Sequence, residues 1–163
     1  MISLIACVGK NYELGKNGDL CWRFKSDMEH FKNCTFGHTV IMGYNTYKSL
    51  GFKPLKNRHN IVVTRELFSD TSVEQILESD LQHFLETIKS SEEEFWIIGG
   101  GKLYRQTIGL ADRIVLTLVP LEDPEADTYF PSFNEQEYIV QNQKTLSDGL
   151  TVLDYRKGGY ECL

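Results

Sequence analysis

Uninterrupted apolar runs, rather than alternating ones, most constrain what this chain can fold into. Ile2–Val8 is one such run with β-branched members, and residues 60–64 and 113–119 are others. A strand that is apolar on both faces must be covered on both, which suits a parallel sheet with helices above and below. The segments between the runs supply the helices. Ser26 and Glu29 stand at capping-box spacing near the start of a helix predicted over residues 25–34. Ser79 and Gln82 predict a second N-cap, and Leu81, Phe84, Leu85 and Ile88 then recur with helical period, the strongest such pattern in the chain. Gly15, Asn17 and Gly18 mark residues 11–19 as a loop. Further strands are predicted at 39–42, 73–77 and 95–98, helical turns at 45–50 and 102–108, and a hairpin from 138–144 and 150–156 around Ser147-Asp148-Gly149. The expected fold class is α/β: a single three-layer domain over 1–163, with a central, mostly parallel sheet, helices on both faces and a C-terminal antiparallel hairpin.

Composition narrows the function classes. The 163 residues carry a formal net charge of −6, which argues against a protein that coats nucleic-acid phosphates. No apolar run approaches the roughly 20 residues of a membrane span. The first residues lack a basic stretch, so they are expected to be a strand rather than a secretion signal, in a cytoplasmic protein. Cys7, Cys21, Cys34 and Cys162 are scattered, with no zinc-type spacing, and are expected to be free thiols with no metal site.

Four features carry possible chemistry, and each alone has a plainer reading. Gly99-Gly100-Gly101 between a strand and a helix suits anion binding at a helix start, or simply a tight turn. It is not the G-x-G-x-x-G fingerprint. The stretch from Val40 to Thr46, through Gly43, Tyr44 and Asn45, repeats the strand–glycine–helix theme; two such turns at the carboxyl ends of parallel strands suit a ligand with two phosphates. Thr64-Arg65 offers a hydroxyl and a guanidinium to a phosphate monoester, although a lone arginine is more often solvated surface. Asp27 lies in a first helical turn, on one face with Phe31 and near Trp22, Phe24 and Met28. It reads either as a charge complementing the helix dipole or as a carboxylate aimed into an aromatic pocket.

The order of these pieces resembles dihydrofolate reductase. The resemblance rests on Ile2 to Ala6, Leu14-Gly15, Trp22, Asp27, Phe31-Lys32, Val40 to Gly43 with Thr46 and Ser49, Pro54-Leu55, Arg58, Asn60, Ile97 to Gly101 with Tyr104, Leu116-Thr117 and Asp127 to Pro131. It implies reduction of 7,8-dihydrofolate by hydride transfer from NADPH, supporting tetrahydrofolate and thymidylate synthesis, and sensitivity to antifolates. It implies a monomer that binds neither nucleic acid nor membrane. It also implies roles. Asp27 holds the pterin edge, Thr117 supports its carboxylate, and Trp22 completes the catalytic set. Ile5, Ala6 and Phe31 wall the pterin, Met28 and Leu50 touch the aminobenzoyl portion, Leu55 also binds substrate, and Arg58 pairs with the glutamate α-carboxylate. Ala6, Leu14, Ile98 and Tyr104 border the nicotinamide. Thr46, Gly99, Gly100 and Gly101 meet the pyrophosphate, Gly15, Gly43, Tyr44, Asn45 and Leu103 also bind the cofactor, and the Gly99–Gly100 peptide is cis.

Hydride transfer to a C=N carbon leaves charge on a nitrogen that must be protonated. No His or Cys is spaced to supply that proton, so water is expected to deliver it. Three residues depart from bacterial members: Cys21 stands for the usual Pro, placing a thiol near the substrate, Tyr44 for a basic residue, and Ala126 for a common Gly. With Tyr44 neutral, preference for NADPH falls to Thr64, Arg65 and Lys102. The alternatives are a pyrimidine- or riboflavin-pathway reductase of the same fold and a non-catalytic reuse of that fold.

Overall fold

A computed structural model describes residues 1–158. Its elements, in chain order, are β1 (Ile2–Val8), β2 (Glu13–Lys16), β3 (Asp19–Leu20), α1 (Lys25–Thr35), β4 (Thr39–Gly43), α2 (Tyr44–Ser49), β5 (His59–Thr64), β6 (Glu74–Leu77), α3 (Leu81–Lys89), β7 (Phe95–Gly99), α4 (Gly101–Thr107), β8 (Arg113–Leu118), β9 (Thr128–Tyr129), β10 (Tyr138–Thr145) and β11 (Thr151–Lys157). Eight strands form one sheet in the order β10-β11-β8-β1-β7-β4-β5-β6. From β8 to β6 every pairing is parallel, and β11 pairs antiparallel with both β8 and β10.

The period of two in β1 sorts its side chains between two cores. Ile2, Leu4, Ala6 and Val8 pack on one face with Leu81, Leu85 and Ile88 of α3 and Leu103 and Tyr104 of α4. Ile5 lies on the other face with Val40, Met42, Trp96 and Val115, covered by Tyr47 of α2 and by Phe31 and Cys34 of α1. The expected three-layer arrangement therefore stands, with α1 and α2 on one face and α3 and α4 on the other.

Several local expectations are corrected. Residues 11–19 are not only loop: β2 pairs with β3 and with β9 in a separate three-stranded sheet. Neither capping box forms. Phe24 is the N-cap of α1 without a side-chain bond, and Ser26, inside the helix, donates from Oγ to Asp148 Oδ2 at 2.6 Å. Asp80, not Ser79, precedes α3, again without a side-chain cap. At α1 the long-range bond to Asp148 takes the Ser26 hydroxyl, and at α3 a single helical turn over Glu78–Asp80 includes Ser79 and precedes the helix. Cys7, Cys21 and Cys34 are free; Cys162 lies outside the described residues.

Candidate active site

A continuous cleft of about 1730 Å³ runs along the carboxyl ends of β1, β4, β5 and β7. Ordinary ligand pockets occupy about 300–1,000 Å³, so this one has room for two ligands side by side. Every residue nominated from the sequence borders it except Thr117.

Asp27, in the first turn of α1, supplies the carboxylate at one arm. Burial raises its pKa, the Thr117 and Cys7 side chains pull it back, and the Asp148 charge raises it. Thr117 on β8 and Cys7 on β1 are cross-strand partners, so both present short side chains to the same spot. Thr117 Oγ1 is fully buried and makes no hydrogen bond to protein; it faces the carboxylate without reaching bonding geometry. Cys7 escaped the sequence reading. Burial, then the adjacent Asp27 charge, pushes its thiol far up, so it stays protonated beside the carboxylate.

Apolar walls flank this carboxylate. Ile5 is buried, and half-buried Phe31, Leu50 and Leu55 pack against its cluster. Met28 is 59% exposed, so it covers the mouth rather than the floor. At the far edge, Arg58 donates from Nη1 to Thr35 Oγ1 at 3.1 Å and from Nε to the Lys56 carbonyl at 2.9 Å. Asn60 stiffens the loop that presents Leu55 and Arg58 by bonding both their carbonyls and the Leu55 N–H. Such a fixed guanidinium suits a carboxylate. Trp22 borders the cleft and donates from Nε1 to the Glu13 carbonyl at 2.9 Å. Cys21 does not border the cleft, and burial with the Asp123 charge pushes its thiol to about 11. The thiol expected near the substrate is thus turned aside.

The other arm is built by two glycine turns. A Cβ on Gly43 would lie 3.9 Å from the Gly100 nitrogen, so the starts of α2 and α4 sit side by side. Gly43 and Gly100 are the N-caps, and no side chain takes up the helical N–H groups. That leaves two sets of donors for a diphosphate. Gly99 has φ +125°, open to glycine alone, and the Gly99–Gly100 peptide is cis, as the resemblance implied. A Cβ on Gly101 would strike Thr128 Cγ2 at 2.6 Å, so only glycine lets the Thr128 segment close over α4. Thr46 flanks Gly100, and the Tyr104 hydroxyl donates to the Ile5 carbonyl at 2.6 Å, tying this arm to β1. Ala6, Leu14, Gly15 and Ile98 border the middle, and Asn45 the α2 start. Leu103 is a core side chain that only borders the cleft.

Thr64, Arg65 and Lys102 lie at the outer end. Thr64 spends its hydroxyl on the Glu66 carbonyl at 2.7 Å. Tyr44 packs edge-on against Phe68 with centroids 5.3 Å apart. Glu78, which the sequence reading missed, accepts from both cations.

A dihydrofolate reductase family profile matches residues 1–160. Over 162 residues the chain is 38% identical to dihydrofolate reductase of Bacillus subtilis, covering 99% of this chain and 94% of that protein. It is 34% identical over 139 residues to the Haemophilus influenzae dihydrofolate reductase, covering 85% and 84%. The structure of Enterococcus faecalis dihydrofolate reductase complexed with NADP(H) and RAB-propyl superposes with a TM-score of 0.83 at 23% identity, covering 98% of this chain and 97% of that one. With this profile match and these relatives, the chain belongs to the dihydrofolate reductase family.

Proposed function

We propose that this chain reduces 7,8-dihydrofolate to 5,6,7,8-tetrahydrofolate with NADPH as hydride donor. The observation that carries the reading is Asp27: one desolvated carboxylate, flanked by Cys7 and Thr117, in the apolar arm of a cleft whose other arm is built by the glycine turns. NADPH fits the second arm, where Gly43, Thr46 and Gly99 to Gly101 would hold its pyrophosphate and Ala6, Leu14, Ile98 and Tyr104 its nicotinamide. When bound it supplies the hydride.

The chain's own groups do the rest. Asp27 pairs with the amidine-like pterin edge, fixes its orientation and favours the protonated ring. Ile5 and Phe31 hold the ring flat against the neighbouring arm and exclude bulk water. Arg58 anchors the distal carboxylate, so binding energy far from the reacting carbon positions it. Cys7, held protonated beside Asp27, is too weak an acid at neutral pH to serve the reacting nitrogen. Water is left to deliver that proton. We further read residues 1–163 as one monomeric cytoplasmic domain open to diaminopyrimidine antifolates. No described helix is long and apolar enough to cross a membrane.

Steady-state NADPH oxidation with dihydrofolate tests the reading. Asp27→Asn should lose at least about 100-fold in turnover at pH 7. The deficit should shrink at acid pH, where the substrate arrives protonated. Equal activity of the two proteins would overturn Asp27's role.

A further inference from the structure

Glu78 is the first residue past β6, and Arg65 the first past β5. Thr64 and Leu77, which precede them, are register partners, so the two charges meet at the carboxyl ends of adjacent strands. Glu78 Oε2 accepts from Arg65 Nε at 3.3 Å. Glu78 Oε1 forms an ion pair with Lys102 Nζ at 2.5 Å and accepts from Gln106 Nε2 at 3.2 Å. All four residues border the cleft beyond the glycine turns. Isolated exposed ion pairs have little effect, but here three donors converge on one carboxylate whose side chain is 28% exposed. Those donors, Lys102 first, hold the Glu78 pKa below the usual carboxylate value.

We propose that Glu78 is a specificity-determining residue: it occupies Arg65 and Lys102 and so relaxes the preference for a nicotinamide nucleotide that carries a ribose 2′-phosphate. The inference rests on the hydride donor proposed above. Glu78 engages both Arg65 and Lys102, Glu66 also borders this end, and Tyr44 adds no charge. An incoming phosphate must therefore compete with Glu78 for Lys102 and Arg65 and then lie beside its negative charge. A nucleotide with a free 2′-hydroxyl meets no such repulsion, and a carboxylate is a natural acceptor for that hydroxyl.

Calorimetric titration of 2′,5′-ADP and 5′-AMP into the wild type and Glu78→Gln reads this without turnover. The wild type should prefer 2′,5′-ADP by less than tenfold. Glu78→Gln should bind 2′,5′-ADP about tenfold more tightly and 5′-AMP within threefold of the wild type. In parallel, the ratio of kcat/KM for NADPH over NADH should rise about tenfold, with melting temperature unchanged. Unaltered or weaker 2′,5′-ADP binding by Glu78→Gln would overturn the proposal, as would no binding of either nucleotide to the wild type. If neither NADPH nor NADH reduces dihydrofolate, the proposed activity fails, and the titration still decides the role of Glu78.

Discussion

Asp27 holds a charge where the fold would be more stable without one. Burial raises its pKa, and the partial relief from Thr117 and Cys7 does not cancel that. Between the ordinary carboxylate value and the raised one, the folded protein binds more protons than the unfolded chain. Stability therefore falls as pH rises through that window, and the full cost is present above it. Asp27→Asn should consequently melt at a higher temperature than the wild type at pH 7 while losing turnover, read by scanning calorimetry beside the NADPH assay. A lower melting temperature would mean that the carboxylate stabilises the fold. Asp27 itself was legible, because helical spacing puts it with Phe31. Its neighbour Cys7 was not. Cys7 reads as one more apolar residue in a buried strand, and only the β1–β8 register shows that it stands beside Thr117. Glu78 escaped for the same reason, since its partners Arg65 and Lys102 reach it through sheet register and a helix start.

The helices and the strands of the large sheet were legible, the four-residue β6 included, but the strands of the small sheet were not. β2, β3 and β9 have two to four residues each, and β2 contains Gly15. Nothing local distinguishes them from loop; their pairing across the chain makes them strands. Glu13 on β2 organises this region. Its side chain is buried, accepting from the Asn11 N–H at 2.5 Å and the Asp123 N–H at 2.7 Å, while its carbonyl holds Trp22. Burial alone would raise its pKa, but the backbone donors of Asp123, Glu13 and Asn11 bring it below the usual value. One carboxylate thus joins the segments around Asn11 and Asp123 and sets the Trp22 wall of the cleft. Glu13→Gln keeps the shape but turns an NH2 towards one N–H, leaving a buried donor unpaired. It should cost about 1–3 kcal/mol in urea unfolding and raise KM for dihydrofolate. No change in either would show that the two segments hold their places without this carboxylate.

The sheet's two faces differ in polarity, and that difference gives the whole molecule a pH dependence. The α3–α4 face is closed by an apolar cluster. Beneath α1, by contrast, lies a half-buried polar group: Arg113 bonds Glu94 and Asp154, each at 2.8 Å, and stands 5.0 Å from the Trp96 ring centre. His30 faces this group from α1, 5% exposed, with Cys34 Sγ 3.7 Å from Nδ1. Burial, then the positive charges of Lys144 and Arg113, lowers its pKa from 6.5 to about 4, against a smaller opposing pull from Asp154. The unfolded chain therefore binds a proton here that the folded protein refuses between these two values. The contribution of His30 to stability should be constant above about pH 7 and fall by about 3 kcal/mol in full as pH drops through 6.5 towards 4, while Asp27 moves stability the opposite way as the pH falls. Because Glu13 loses its contribution only below the ordinary carboxylate range, urea unfolding between pH 6.5 and 5 separates the two. His30→Gln should flatten the profile in that interval. An unchanged slope in the variant would place the acid sensitivity elsewhere.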